Sequence, residues 1–154
     1  MSRTVRILVG LVVVVVALVG AGRFAVWLTG RQTAEVAMPS ADARPDEVVR
    51  TYLEALDAHD CGTAVALRST RQDSRQLARI WCREVHHLRA VEVEPAVVTT
   101  GEVEVVTRYD LSYRPFTHVD WPSAGHRVWT YALERASPSA PWRITDEYEG
   151  DDAY

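Results

Sequence analysis

The sequence predicts an α+β domain carried behind an apolar N-terminal helix, and three observations predict it. The run Ile7–Gly22 holds sixteen residues without a charge, eleven of them Ile, Leu or Val. Between residues 46 and 82, apolar side chains recur at spacings of three and four; from about residue 91 they alternate one by one. Helices first and strands after, with no αβ alternation, is the order of an α+β domain.

The apolar run comes first. Sixteen helical residues span roughly 24 Å, short of a ~30 Å hydrocarbon core. Extension through Phe24 to Gly30 reaches roughly 36 Å, with the long stem of Arg23 carrying its charge toward the headgroups. Residues 1–31 are therefore expected to form a cytoplasmic tail and a transmembrane anchor, with the membrane as partner through Ile7 to Gly30. Arg3 and Arg6 orient it N-in, although Arg23 and Arg31 on the far side oppose that bias. The expected localisation is the cell membrane, single-pass, with the C-terminal domain extracytoplasmic. A cleaved signal peptide is the alternative, with Val19 and Ala21 as small residues at a cleavage site. No Cys precedes position 61, which closes the lipoprotein route.

Residues 32–45, with two prolines and no apolar period, read as a flexible linker. Asp46–Ala58 is the clearest helix: Val48, Val49, Tyr52, Leu53 and Leu56 form one stripe, and Asp46 and Glu47 suit the positive end of the helix dipole. Asp60 then caps a short helix, Cys61–Leu67. A third helix near Ser74–Cys82 places Leu77, Ile80 and Trp81 on one side.

Four alternating runs follow. Val91 and Val93 belong to the first. In the second, Val103, Val105, Thr107, Tyr109, Leu111 and Tyr113 face one way. Trp129, Tyr131 and Leu133 mark the third; Trp142, Ile144, Asp146 and Tyr148 mark the last, with Arg143, Thr145 and Glu147 opposite. One polar face per run predicts a four-stranded, mainly antiparallel sheet covered on one side. The domain is bounded at 46–149, and 150–154 is an acidic tail.

Charge narrows the function classes. The chain has 17 basic residues, all arginine, against 21 carboxylates. Residues 32–154 carry 13 arginines and all 21 acids, a balance near −8, so nucleic acid is not an expected partner. Cys61 and Cys82, the only cysteines, lack C-x-x-C spacing and predict a disulfide in an exported domain. No G-x-S-x-G, P-loop, G-x-G-x-x-G or H-E-x-x-H occurs, and no metal or cofactor is expected.

The order PDEVVRTYLEALDAHDCGTAVAL, then strands, then a closing PWRITDEYEG, resembles the nuclear-transport-factor-2-like (SnoaL-like) superfamily over about residues 45–149. The layout is similar to small membrane-anchored actinobacterial members of unassigned role. The resemblance implies a cone, a curved sheet wrapped around the first helix. It also implies either an enzyme of the ketosteroid-isomerase or polyketide-cyclase kind or a non-enzymatic assembly or transport factor.

No paired acid and base stands at a catalytic spacing. Strand parity puts Asp146 inward, where burial raises a carboxylate pKa. His86 and His87 open the first strand, and Tyr109 lies on the inner face; with Asp146 they are the candidates for chemistry. Each has a plainer reading, as a rim or core residue. Phe116 and Trp121, aromatics in the Arg114–Gly125 loop, are the candidate interaction residues. The expected function is a membrane-tethered, non-catalytic interaction or accessory module, with another envelope protein as partner in a transport or secretion assembly. The alternative is an enzyme or binder acting on a small apolar ligand in the cone cavity.

Overall fold

The computed structural model describes residues 12–20, 31–99, 102–115, 117 and 123–150. Chain contacts divide the protein into two units, Met1–Arg31 and Gln32–Tyr154. In the first, residues 12–20 are helical (α1). Among the described residues no helix is long and apolar enough to cross a membrane. The single-pass anchor and the localisation drawn from it are therefore corrected. The rest of the Ile7–Gly30 run lies outside the described residues, as do Phe116, Trp121 and the tail beyond Gly150.

The second unit is α+β: among its described residues three helices, α2 (Pro45–Asp57), α3 (Cys61–Leu67) and α4 (Gln72–Glu84), precede five strands. The strands are β1 (Val85–Val93), β2 (Val97–Thr99), β3 (Glu102–Tyr113), β4 (Gly125–Glu134) and β5 (Arg143–Glu149). They form one antiparallel sheet in the order β1-β3-β4-β5, with β2 paired to the start of β3. The expected sheet of four strands thus has five. The extra strand, β2, is three residues long, too short for alternation to announce it.

Local chemistry sets the helix ends. Pro45 opens α2 with its backbone angle already helical, and the Glu47 carboxylate accepts the Arg44 N–H at 2.9 Å. At the other end His59 adopts φ 58°. That left-handed residue lets Asp60 N–H reach the Ala55 carbonyl at 2.8 Å and His59 N–H reach Leu56 at 3.1 Å, satisfying carbonyls the helix leaves open. Asp60 then caps α3, accepting the Thr63 N–H at 3.1 Å. Its second oxygen accepts the Val36 N–H at 3.0 Å, and Thr33 N–H donates to Ala58 at 2.9 Å. The irregular segment at 31–44 is thereby pinned to the α2–α3 corner.

The α2 stripe of Val48, Val49, Tyr52, Leu53 and Leu56 is buried with Val105, Tyr109, Trp129, Tyr131 and Ile144 in one core cluster. Full burial of each aliphatic side chain contributes about 1.5–3 kcal/mol. Tyr52 meets Tyr131 edge-on at 5.8 Å between ring centres. Trp142 stays half-buried at the margin, with the Arg135 guanidinium 4.6 Å from its ring centre. Cys61 and Cys82 are bonded, with Cα atoms 5.6 Å apart, tying the start of α3 to the end of α4.

Burial follows parity in β3; in β4 the whole run from Val128 to Leu133 is buried, with Trp129, Tyr131 and Leu133 in the core cluster. In β5 parity fails. Ala132 pairs with Asp146 but Leu133 pairs with Ile144, leaving Thr145 as an extra residue. Its hydroxyl donates to the Ala132 carbonyl at 3.1 Å. A bulge of one residue turns every later side chain to the opposite face. Asp146 is exposed, Tyr148 is 43% exposed, and the Glu147 side chain, at 3%, is inside.

Candidate functional site

The bulge creates the interior polar centre. Arg68 leaves the end of α3 in extended conformation and makes a parallel bridge with Ile144, Ser69 N–H donating to the Ile144 carbonyl at 2.8 Å. That anchor sends the Arg68 side chain, 1% exposed, into the core. Nε donates to Ser74 Oγ at 2.9 Å, and Nη1 donates to Tyr52 Oη at 3.4 Å and to Glu147 Oε2 in a very short contact. The guanidinium also lies 5.7 Å from the Tyr52 ring centre. A buried charge stays charged only when so compensated.

Glu147 Oε1 is buried and makes no hydrogen bond of ordinary geometry. Burial pushes the Glu147 pKa up, while Arg68, and then the Trp81 indole N–H, pull it back; the net direction is upward. Burial works to lower the Arg68 pKa, but Tyr52 and Glu147 outweigh it and the net direction is also upward.

Beside Glu147 lies a cavity of about 120 Å³. One wall is α4, through Leu77, Ile80, Trp81 and Glu84. These sit at i, i+3, i+4 and i+7 and share one helix face. The facing wall is Tyr113 of β3, Trp129 of β4 and Glu147 of β5. Ile80, 41% exposed, marks the open side. Trp81 and Trp129 stand nearly perpendicular with centres 5.7 Å apart; Trp81 and Tyr113 are within 24° of parallel at 6.5 Å. Burial raises the Tyr113 phenol to about 12. The Glu84 carboxylate accepts the Thr117 hydroxyl at 2.6 Å.

The residues expected to do chemistry are not gathered here. Asp146 borders a separate outer cleft with Arg71 and Asp73. His86 and His87, half-buried, sit with ring centres 4.1 Å apart, and His87 Nδ1 lies 3.3 Å from Asp57 Oδ1 at the end of α2. The His86 pKa is lowered by desolvation and then by the charge of His87. Tyr109 is a core residue, its hydroxyl 3.4 Å from that of Tyr131. Among the described residues no group of three or more His, Cys, Asp or Glu could hold a metal ion.

Sequence reasoning missed Glu147 and Arg68. Glu147 was assigned the outer face because nothing in the spelling of the strand announces the bulge. Arg68 had one available signal, a lone arginine directly after the apolar end of α3.

Comparison with known proteins corrects the expected superfamily. No protein-family profile matches the chain, and no curated protein matches it. A solved structure that does match is the solution structure of a SEC-C motif containing protein from Rhodopseudomonas palustris. The TM-score is 0.53 at 15% identity, over 73% of this chain and 83% of that one. At that identity the likeness concerns the fold alone. The nuclear-transport-factor-2-like resemblance rested on an amphipathic first helix ending in His-Asp and a Trp-Arg-Ile strand. An amphipathic helix and an alternating strand are what any helix laid on a sheet requires, so these loose motifs do not single out one family.

Proposed function

We propose that the domain is a binding module for a small, mostly apolar ligand held between α4 and the inner face of the sheet. One observation carries this reading: a buried carboxylate oxygen, Glu147 Oε1, with no well-aligned hydrogen bond at the wall of a mostly apolar cavity. An unsatisfied buried acceptor costs about 1–3 kcal/mol, a cost that a ligand donor removes on binding. The size suits the reading, because an apolar cavity of about 150 Å³ admits benzene.

Binding is favoured over catalysis because Glu147 is committed through Oε2 to Arg68, which holds it in place as an acceptor. Small aromatic and aliphatic probes should shift the NMR indole signals of Trp81 and Trp129. Leu77→Trp, which fills the cavity, should abolish those shifts while the circular dichroism spectrum is kept. Unchanged shifts in the filled variant would place the probes elsewhere and end the proposal.

A further inference from the structure

The same cavity carries a sharper reading, one that rests on the binding proposal above. Its chemistry is one-sided. Two carboxylates, Glu84 and Glu147, and three aromatic rings line it, with no basic side chain among the described lining residues. Arg68 meets Glu147 through Oε2, leaving Oε1 as the buried acceptor, while Arg114 and Arg127 act on Glu84 and Tyr113 from outside the lining.

The aromatic faces and the two carboxylates favour the same kind of guest. Aromatic faces are negative and attract an ammonium, more strongly when it is desolvated. Two near-parallel rings with a third nearly perpendicular to them give a cation aromatic neighbours in more than one direction. Glu147 Oε1 accepts from a donor inside, and Glu84 stands half-buried where a second charge-assisted contact forms. An anion entering the site meets two carboxylates and the negative ring faces, and it finds no basic side chain among the described lining residues. A neutral hydrocarbon leaves Oε1 as it was.

We infer that the ligand is a small organic cation, a protonated amine with a compact apolar body. The amine donates to Glu147 Oε1 and its hydrocarbon part lies among Trp81, Trp129 and Tyr113. The volume sets the bulk of the enclosed part, below that of a benzene ring; a longer amine extends past Ile80 to the outside.

The test uses the full chain and three probes of nearly equal shape: isobutylammonium, isobutanol and isobutyrate. Each is titrated while the Trp81 and Trp129 indole signals are followed by NMR. The ammonium is expected to bind at least about tenfold more tightly than the alcohol, and isobutyrate to bind weakest. Glu147→Gln should erase that preference. Should this variant unfold through its unpaired Arg68, Glu84→Gln at the margin tests the same point. It should weaken ammonium binding severalfold and leave alcohol binding unchanged. Alcohol or isobutyrate binding as tight as the ammonium overturns the cation assignment and leaves the binding module standing. Failure of all three probes to move the indole signals overturns both.

Discussion

Asp60 and Glu147 are both buried carboxylates, and the protein treats them in opposite ways. At the α2–α3 corner, burial tends to raise the Asp60 pKa, but N–H groups of Val36 and Thr63 outweigh it and the net direction is down. Inside β5, burial raises the Glu147 pKa and the opposing interactions, led by Arg68, do not cancel it. Donors saturate the first group, which works as a joint. The second keeps an oxygen with no well-aligned hydrogen bond beside a cavity, and that separates a structural acid from one available to a ligand.

The strongest way to break the comparison is to remove the cation that Glu147 has. Arg68→Ala leaves a buried carboxylate uncompensated and should cost about 3–5 kcal/mol by urea unfolding. A much smaller loss would mean that Glu147 is protonated or hydrated. Next in size is the staple beside Asp60. Replacing Cys61 and Cys82 together by Ala should cost about 3 kcal/mol, the chain-entropy value for a loop of this length. Two alkylatable thiols in the folded, non-reduced protein would contradict it. Asp60→Ala removes the α3 cap and the Val36 contact together, and should cost about 1–2 kcal/mol. The amide protons of Val36 and Thr63 should then lose protection from hydrogen exchange. If they do not, the corner is held by other means.

The same pair of sites shows where the sequence was legible. The corner was readable: an amphipathic helix ending at His59, Asp60 as a cap, and two cysteines without metal-type partners all describe local or loop-closing chemistry. The inner faces of β3 and β4 were readable too, because Val105, Tyr109, Trp129 and Tyr131 keep strict alternation through a continuous register. Glu147 was not. Thr145 adds one residue to β5 through a hydroxyl–carbonyl contact made only in the folded sheet, and parity carried across that point inverts. Arg68 was missed for a related reason: its partners Tyr52 and Glu147 are 16 and 79 residues away, and local periodicity says nothing about such pairings. The apolar N-terminal run misled in another way. Hydropathy measures what a helix could cross, whereas among the described residues no helix is long and apolar enough to do so.

The smallest expected effect is on the slope of stability against pH, and it separates the two acids by sign. For Asp60 the folded pKa lies below its ordinary 3.8, so between the two values the unfolded chain binds more protons. Its contribution is present above about pH 3.8 and is lost as pH falls through the folded value. For Glu147 the folded pKa lies above its ordinary 4.5, so in that window the folded chain binds more protons. Its contribution is present below about pH 4.5 and is lost as pH rises through the folded value. Urea midpoints from about pH 3 to 8 should therefore show two different flattenings. Asp60→Asn should reduce the fall in stability on the acid side, and Glu147→Gln should reduce a fall that begins above about pH 4.5. Slopes are compared, because Glu147→Gln also lowers absolute stability by leaving Arg68 without its anion. Carboxylates common to all three proteins cancel in the differences. A Glu147→Gln curve parallel to the parent above pH 4.5 would show that the Glu147 pKa is not raised, and that Arg68 balances its burial in full.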